Sequence, residues 1–408
     1  MVSNIVKIFL SELKLVFKDE GSFLIMAFAI VLYSAFYTIP FAMQTARNVP
    51  IGVIDNDNSA FSRELIRDLN ATEYVQVVKH EKSIEEATND YYKNTVRAFV
   101  LIPKDFEKNI KQGKPSFISS YLDSSFLIIY KQVVSAVSQL AKEAGTKIEV
   151  KTLMQKGLSK DNAIKAVLPF EIVQNPLYNP IGSYQNYVYP LVLVLILHQT
   201  MIIGVNILGC TVKEKMNGMF IRADGKKEFV KIDKFNEFSD NPLEIVLGKS
   251  CAYVLPYLIY ASIYFLIMPS FVVYQMNYSH LLTMFSFLLL YLFTTSFFAQ
   301  SLILLFPTRE SSFFVMVASS LPLMFLTGFI WAKESIMPII FYASKLIPFI
   351  TAADGMIKIN QMGADFSDIY QDFIILLVLC AVYFCTACMT VKTLQKQPIH
   401  TDCQNSEK

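Results

Sequence analysis

The sequence predicts an α-helical membrane protein with six transmembrane helices and, inserted after the first, an α/β extracytoplasmic domain with a helical stalk. Three observations carry that prediction. The 408-residue chain is 53% hydrophobic but only 17% charged, too apolar for an ordinary soluble protein and too charged for a wholly buried one. Residues 22–43, 188–210, 251–273, 281–306, 312–331 and 372–391 are each apolar over the roughly 20 residues a helix needs to cross a hydrocarbon core. Lys and Arg are divided unequally between the short loops: about 15 share a side with the N-terminus and residues 211–250, and about three face the other side. The positive-inside rule then makes both termini cytoplasmic. The formal net charge of +2 lacks the clustered basic face of a nucleic-acid partner, so none is expected.

Residues 1–21 contain NIVKIFLSELKLVFKDE, with Ile5, Phe9, Leu13, Val16 and Phe17 on one helical face and Lys7, Ser11, Lys14 and Lys18 on the other. This is either an amphipathic helix lying in the cytoplasmic interface or an extension of the first membrane helix. The apolar run after it, roughly 22 residues, exceeds the 7–15 of a signal peptide and no small-residue cleavage site follows, so it reads as an uncleaved anchor.

Residues 44–187 turn polar. VPIGVID, YVQVVKH, RAFVLIP and SFISSYLD are strand-like, and helical runs alternate with them: SAFSRELIRDL, a helix capped by Ser83 with Glu86 in S-x-x-E spacing, and KDFEKNI stopped by Gly113. A small sheet with helices packed on it is the expectation. After Ser124 about 30 helical residues, interrupted near Gly145 and Gly157, make a stalk on the order of 40 Å. DNDNS at Asp55 opens like a calcium loop, but Ala60 stands where glycine is needed and Ile66 where a bidentate Glu is needed, so a helix N-cap at Asn58 or Ser59 is the better reading. The return to the bilayer, NPLYNPIGSYQNYVYP, is rich in tyrosines that suit an aromatic belt.

Within the second span His198, Gln199 and Asn206 are the polar exceptions. They serve either the transport path or hydrogen bonds between helices. Pro256, Pro269 and Pro322 are expected kinks. Residues 211–250 form a cytoplasmic loop carrying Lys213, Lys215, Arg222, Lys226, Lys227, Lys231, Lys234 and Lys249, and Asp224-Gly225 reads as a hairpin turn. The tight PTRE turn puts Arg309 in the cytoplasm. Residues 332–371 are amphipathic, too short to span and too apolar to float, and are expected to lie on or dip into the outer leaflet. The tail, 392–408, is polar.

No enzyme site emerges. Gly248-Lys249-Ser250 ends like a phosphate loop, but Leu243 replaces its first glycine. His80, His198, His280 and His400 are scattered, and no nucleophile sits beside a base. The cysteines (Cys210, Cys251, Cys380, Cys385, Cys388 and Cys403) lie in spans or at cytoplasmic edges, so no disulfide framework is expected, and no metal site either.

The order of these parts resembles the ABC-2 type permeases of ATP-driven exporters, in the branch with a large outer domain after the first span. IGVIDNDNSAFSRELIRDL, RAFVLIPKDFEKNIKQGKP and YLD are similar to that branch's outer domain. The Asn/Pro/Tyr-rich return, NPLEIVLGKSCAYVLPY, and ESIMP followed by SKLIPFITAADGMIKI resemble its later segments. The motif after the second span departs from the family's: VKEKMNGMF keeps Glu214 and Gly218 but has Met219 and Phe220 where Thr and an apolar residue are usual. Residues 221–240 look inserted. Asp354 matches the family's Glu, while Ile357 stands where a basic residue is usual, with Lys358 next to it.

The resemblance implies a permease subunit in the inner membrane of a bacterial cell, moving a hydrophobic or amphiphilic substrate outward. It implies no cofactor on this chain, with ATP on a separate ABC ATP-binding subunit, and a second permease copy or paralogue as homo- or heterodimer. Membrane lipid surrounds the spans, and in a cell with two membranes a periplasmic adaptor protein touches the outer domain. Lys213, Glu214, Lys215, Gly218 and Arg309 are the candidate ATPase-coupling residues; His198, Gln199, Asn206 and Asp354 are the candidate transport path. The competing reading is a membrane-anchored receptor or assembly scaffold presenting the outer α/β domain.

Overall fold

The computed structural model describes residues 1–38, 46–168, 170, 175–179, 183–217, 220–221, 227–228, 235–271 and 278–396. The chain forms two compact units, one made of residues 1–44 and 176–408, the other of residues 45–175. It opens with α1 (Val2–Lys18), which buries Ile8, Glu12 and Val16. These lie one turn apart, so they share a face, and that face is not the purely apolar one the sequence pattern marked: Phe17 is 52% exposed. Asp19 breaks the helix in extended conformation and caps α2 (Glu20–Phe23), its Oδ1 accepting the Ser22 N–H at 2.9 Å. A π-helical turn (Leu24–Ala29) and α3 (Ile30–Thr38) follow. The end of the first expected span, residues 39–43, lies outside the described residues.

The second unit carries a four-stranded sheet in the order β2-β1-β3-β4, from β1 (Val49–Asp55), β2 (Val75–Glu81), β3 (Ala98–Ile102) and β4 (Ser119–Leu122). β1 pairs in parallel with both neighbours, and β4 closes antiparallel on β3. As a central strand covered on both faces, β1 reads as a continuous apolar run rather than an alternation. The edge strand β2 is mostly exposed; its register shifts opposite Ile51 and Gly52, and the Val77 N–H donates to Asn70 Oδ1 at 2.8 Å, devices that blunt a free edge.

The helices of this unit start and stop where their residue types require. Ser59 caps α4 (Ala60–Asn70) in a capping box with Ser62, Ser83 caps α5 (Ile84–Tyr92), and Gly113, at φ 68°, follows α6 (Phe106–Lys111). The DNDNS segment is a cap structure. Asp55 Oδ1 accepts the N–H groups of Asp57 and Asn58, and Asp55 Oδ2 accepts the Ser62 hydroxyl at 2.7 Å. The stalk helix α7 (Leu127–Gln155) runs through Gly145 without a break and ends before Gly157, whose φ is 96°. Its first half, through Val133, Ala136 and Leu140, joins Leu65, Leu69 and the sheet in one core. A short α8 (Lys160–Val167) packs back on it.

In the first unit the chain resumes with α9 (Tyr184–Met216), then a two-residue pair of strands, β5 (Phe220–Ile221) and β6 (Lys227–Glu228), antiparallel to each other. That pairing flanks the expected Asp224-Gly225 turn, which lies outside the described residues. α10 (Pro242–Ser262) starts at an Asn241 cap with Pro242 in its first turn. Helix therefore takes both ends of the expected 211–250 loop. A π-helical turn (Ile263–Ile267) leads into α11 (Met268–Phe271). Then come α12 (Leu281–Leu302), α13 (Arg309–Leu326), α14 (Pro338–Ser344), α15 (Pro348–Met362) and α16 (Phe366–Lys396).

Among the described residues four helices are long and apolar enough to cross a membrane, and a fifth span results if α14 and α15, bent by 88°, count as one. The six-span expectation is met only at that coarser level. α13 ends at Leu326, short of the expected 331, because Gly328 takes a positive φ of 74° and the chain turns. Residues 332–371 divide: α14 leaves Ile339, Ile340 and Tyr342 exposed, whereas Phe349, Ile350, Ala352, Ala353, Met356 and Ile359 of α15 are buried in the same core as α9 and α12. A short apolar helix reads as amphipathic in isolation; its polar side is covered because other helices carry polar groups too.

Candidate functional site

Two sets of side chains stand out in the helical unit. The first is where the end of α9 meets the start of α13. α9 ends in Val-Lys-Glu-Lys-Met, and cations at a helix C-terminus complement its dipole. Lys213 Nζ donates to the Phe306 carbonyl at 2.8 Å, and Glu214 Oε1 accepts the Arg309 backbone N–H at 3.0 Å. Thr308 caps α13 by accepting the Ser311 N–H, so the α13 N-terminus is fixed from two sides. The Arg309 guanidinium reaches Asp19 Oδ1 at 3.7 Å, and Asp19 also caps α2. Lys213, Glu214 and Arg309 thus meet at one node with Asp19, tying the first helix, α9 and α13 together. Lys215, half-buried, follows on the same turn, and Gly218 lies outside the described residues. Asp19 was not singled out in the sequence; an acid just before an apolar run, in N-cap position, is the signal that marks it.

The node adjoins an open cavity of about 230 Å³ lined by Gly21, Leu24, Ile25, Ile207, Arg309 and Phe313, among others. A Cβ at Gly21 would lie 2.5 Å from the Arg309 guanidinium, so a side chain there would displace the end of Arg309.

The second set joins α1 to α10. Lys249 Nζ lies 3.3 Å from the Glu12 carboxylate, with both side chains no more than 5% exposed, and the Tyr253 hydroxyl donates to the same carboxylate. Lys249 also sits 4.9 Å from the Phe235 ring centroid. One turn earlier Asn4 and Ser239 donate to Glu244 Oε2 at 3.0 and 2.7 Å. Between these levels Gly248 lets the helices touch, because a Cβ there would stand 2.8 Å from Ile8. Gly248-Lys249-Ser250 has a structural explanation at each residue: contact with α1, the ion pair, and hydrogen bonds from Ser296 and Gln300 to the Ser250 hydroxyl. Sequence reasoning missed this clamp, although Lys249 in an otherwise apolar helix and Glu12 on the buried side of α1 were its visible halves.

The remaining candidates do not converge. His198 is fully buried among the rings of Tyr291, Phe298 and Phe349, at 5.6–6.3 Å between centroids. Gln199 faces α13 and donates to Ser319 at 3.3 Å. Asn206 donates to the carbonyls of Ile202 and Ala299, holding α9 to α12. Asp354 lies apart, its carboxylate accepting Lys333 Nζ at 2.7 Å, while Lys358, one turn on, donates to Asp372 at 2.6 Å. Among the described residues no group of three or more His, Cys, Asp or Glu side chains is placed to hold a metal ion.

In the α/β unit, Lys79 Nζ meets Asp90 Oδ2 at 2.5 Å and holds its carboxyl below the usual range. Burial pushes the neighbouring Glu81 carboxyl up, and its contact with Asp90 adds to the shift. The Tyr91 hydroxyl donates to Asp123, lowering the latter's pKa in the same way.

No curated protein matches the chain. Residues 21–389 match the family described as ABC-2 family transporter protein, a stretch that takes in residues of both units and runs from α2 into the last third of α16. The chain belongs to the ABC-2 transporter family.

Proposed function

We propose that this chain is the permease subunit of an ATP-driven exporter, moving a hydrophobic or amphiphilic substrate outward with ATP hydrolysed on a separate subunit. The observation that carries the reading is the node of Asp19, Lys213, Glu214 and Arg309. A push on the end of α9 there reaches α13 through hydrogen bonds and, through the Arg309–Asp19 ion pair, the first helix, rather than through deformable apolar contacts. Nucleotide on the partner shifts the bundle only if the docking surface has different affinities for its two arrangements. A node that ties three helices together is suited to convert that difference into helix movement.

In this reading the node faces the cytoplasm of a bacterial cell, both termini lie on that side, and a second permease copy or paralogue completes the path. The α/β unit faces outward and, in a cell with two membranes, meets a periplasmic adaptor. Against an anchored receptor stands His198, fully buried in the bundle interior without a hydrogen bond at either ring nitrogen, a polar group that anchoring alone does not call for.

Charge reversal tests the dock. Lys215→Glu, and separately Glu214→Lys, are expected to abolish co-purification of the ATP-binding subunit while membrane insertion, read by protease protection, stays as in the unaltered chain. Undiminished co-purification with both variants would overturn the proposed dock.

A further inference from the structure

The polar side chains buried between α9 and α15 do not find partners in the protein. His198 is fully buried with no hydrogen bond at either ring nitrogen, and Asn360, equally buried, has none at its amide oxygen or nitrogen. Asn186 Oδ1 and Thr351 Oγ are buried and unpartnered as well. Elsewhere on α9 Thr200 and Thr211 are satisfied locally, donating to the carbonyls one turn back at 2.6 and 2.8 Å, and Gln199 and Asn206, whose amide oxygens are unpartnered, at least donate through their amide nitrogens.

Three of these residues fall at two levels of one helix pair. Phe349 of α15 lies 5.6 Å from His198 between ring centroids, and Asn360 returns to the Phe349 face of the helix three turns on; Thr351, two residues from Phe349, points to the other side of α15. At the other level Gln361, next to Asn360, donates to the Asn186 carbonyl. The two contact points are equally far apart on each helix, so α9 and α15 run antiparallel along a seam of about 18 Å at 1.5 Å per residue.

In a bundle core a buried donor or acceptor without a partner bears its full desolvation penalty, and native proteins meet such groups with ordered water that bridges about three polar atoms. We propose that the seam between α9 and α15 is an internal water site, with water meeting His198 at one level and bridging Asn186 and Asn360 at the other. The inference does not depend on what the protein transports. It has a mechanical consequence: water-bridged groups exchange partners without being left bare, so α15, one arm of the 88° bend, can shift along α9.

Hydroxyl-radical footprinting by X-ray radiolysis of the full chain in lipid nanodiscs tests this, because radicals form at bound water and oxidise the side chains beside it. Phe349 and Met356, which is one turn from Asn360, are compared with Phe265 and Met26, buried to the same degree. Oxidation of Phe349 and Met356 several-fold faster than Phe265 and Met26 is expected. His198→Phe is expected to slow the labelling of Phe349, and Asn360→Leu that of Met356, towards the rate of the control residue of the same type. Phe349 and Met356 oxidised only at the control rates in the unaltered chain would overturn the proposal, whether or not the variants fold. Undiminished labelling in folded variants would overturn it too.

Discussion

α9 and α16 are both long apolar helices of the bundle, and they are used in opposite ways. Every residue of the most apolar stretch of α9 is buried inside the protein, against 28% of that of α16, although α16 is the more apolar of the two. α16 presents Ile374, Leu377, Val378, Val382 and Met389 outward, while α9 is enclosed by α3, α12, α13 and α15. In water the more apolar helix would take the core. In a bilayer the lipid is as apolar as leucine, so what draws a helix inward is close packing and polar groups that need partners. α9 has both: His198, Gln199 and Asn206, and the glycines at 204 and 209, where a Cβ would meet Met26 at 2.1 Å and Ile303 at 2.4 Å.

The contrast can be broken most directly by truncation. Leu197→Ala, at a fully buried site on α9, is expected to cost about 2–5 kcal/mol, whereas Leu377→Ala, 52% exposed on α16, stays within about 0.5 kcal/mol. Thermal unfolding in detergent measures both, and equal losses would refute the division of roles. A smaller effect sharpens it: Gly204→Val forces Met26 aside and is expected to cost about 1–3 kcal/mol by overpacking, while Ala381→Val on the exposed face of α16 is neutral in the same assay.

The smallest effect concerns the α/β unit, where buried charge meets water instead of lipid. Asp90 and Asp123 have depressed folded pKa values, so their contribution is present above the ordinary Asp range of about 3.9 and is lost as pH falls through the folded values. Glu81 is raised; its ionisation opposes folding at neutral pH, and that cost is relieved as pH falls through its folded value. Protection of β2 and α5 in hydrogen exchange of the full chain should therefore rise slightly on mild acidification and then fall. Glu81→Gln should remove the rise and leave the fall.

How much of this was legible in the sequence depends on the range of the interaction. Ser59, Ser83 and Gly113 act within one turn of themselves, and the helix starts and stop they mark stand in the structure. Gly145 misled, because a lone exposed glycine weakens a helix by about 1 kcal/mol without ending it. At the node, Lys213, Glu214 and Arg309 were legible as polar residues beside apolar spans, but Asp19 had to be seen in place. The Glu12–Lys249 pair joins residues far apart in sequence, and neither residue type announces a partner.

The sequence by itself determined that the chain is helical and membrane-bound, where most helices begin, and that an α/β segment follows the first helix, because hydrophobic length, capping and turn chemistry act on neighbours in the chain. Tertiary structure alone decided that α9 and not α16 takes the centre, that α15 enters the core, and that Lys249 finds Glu12. Apolar character is nearly neutral between lipid and protein interior, so the choice falls to fit and to polar partners, which exist only once the helices are side by side.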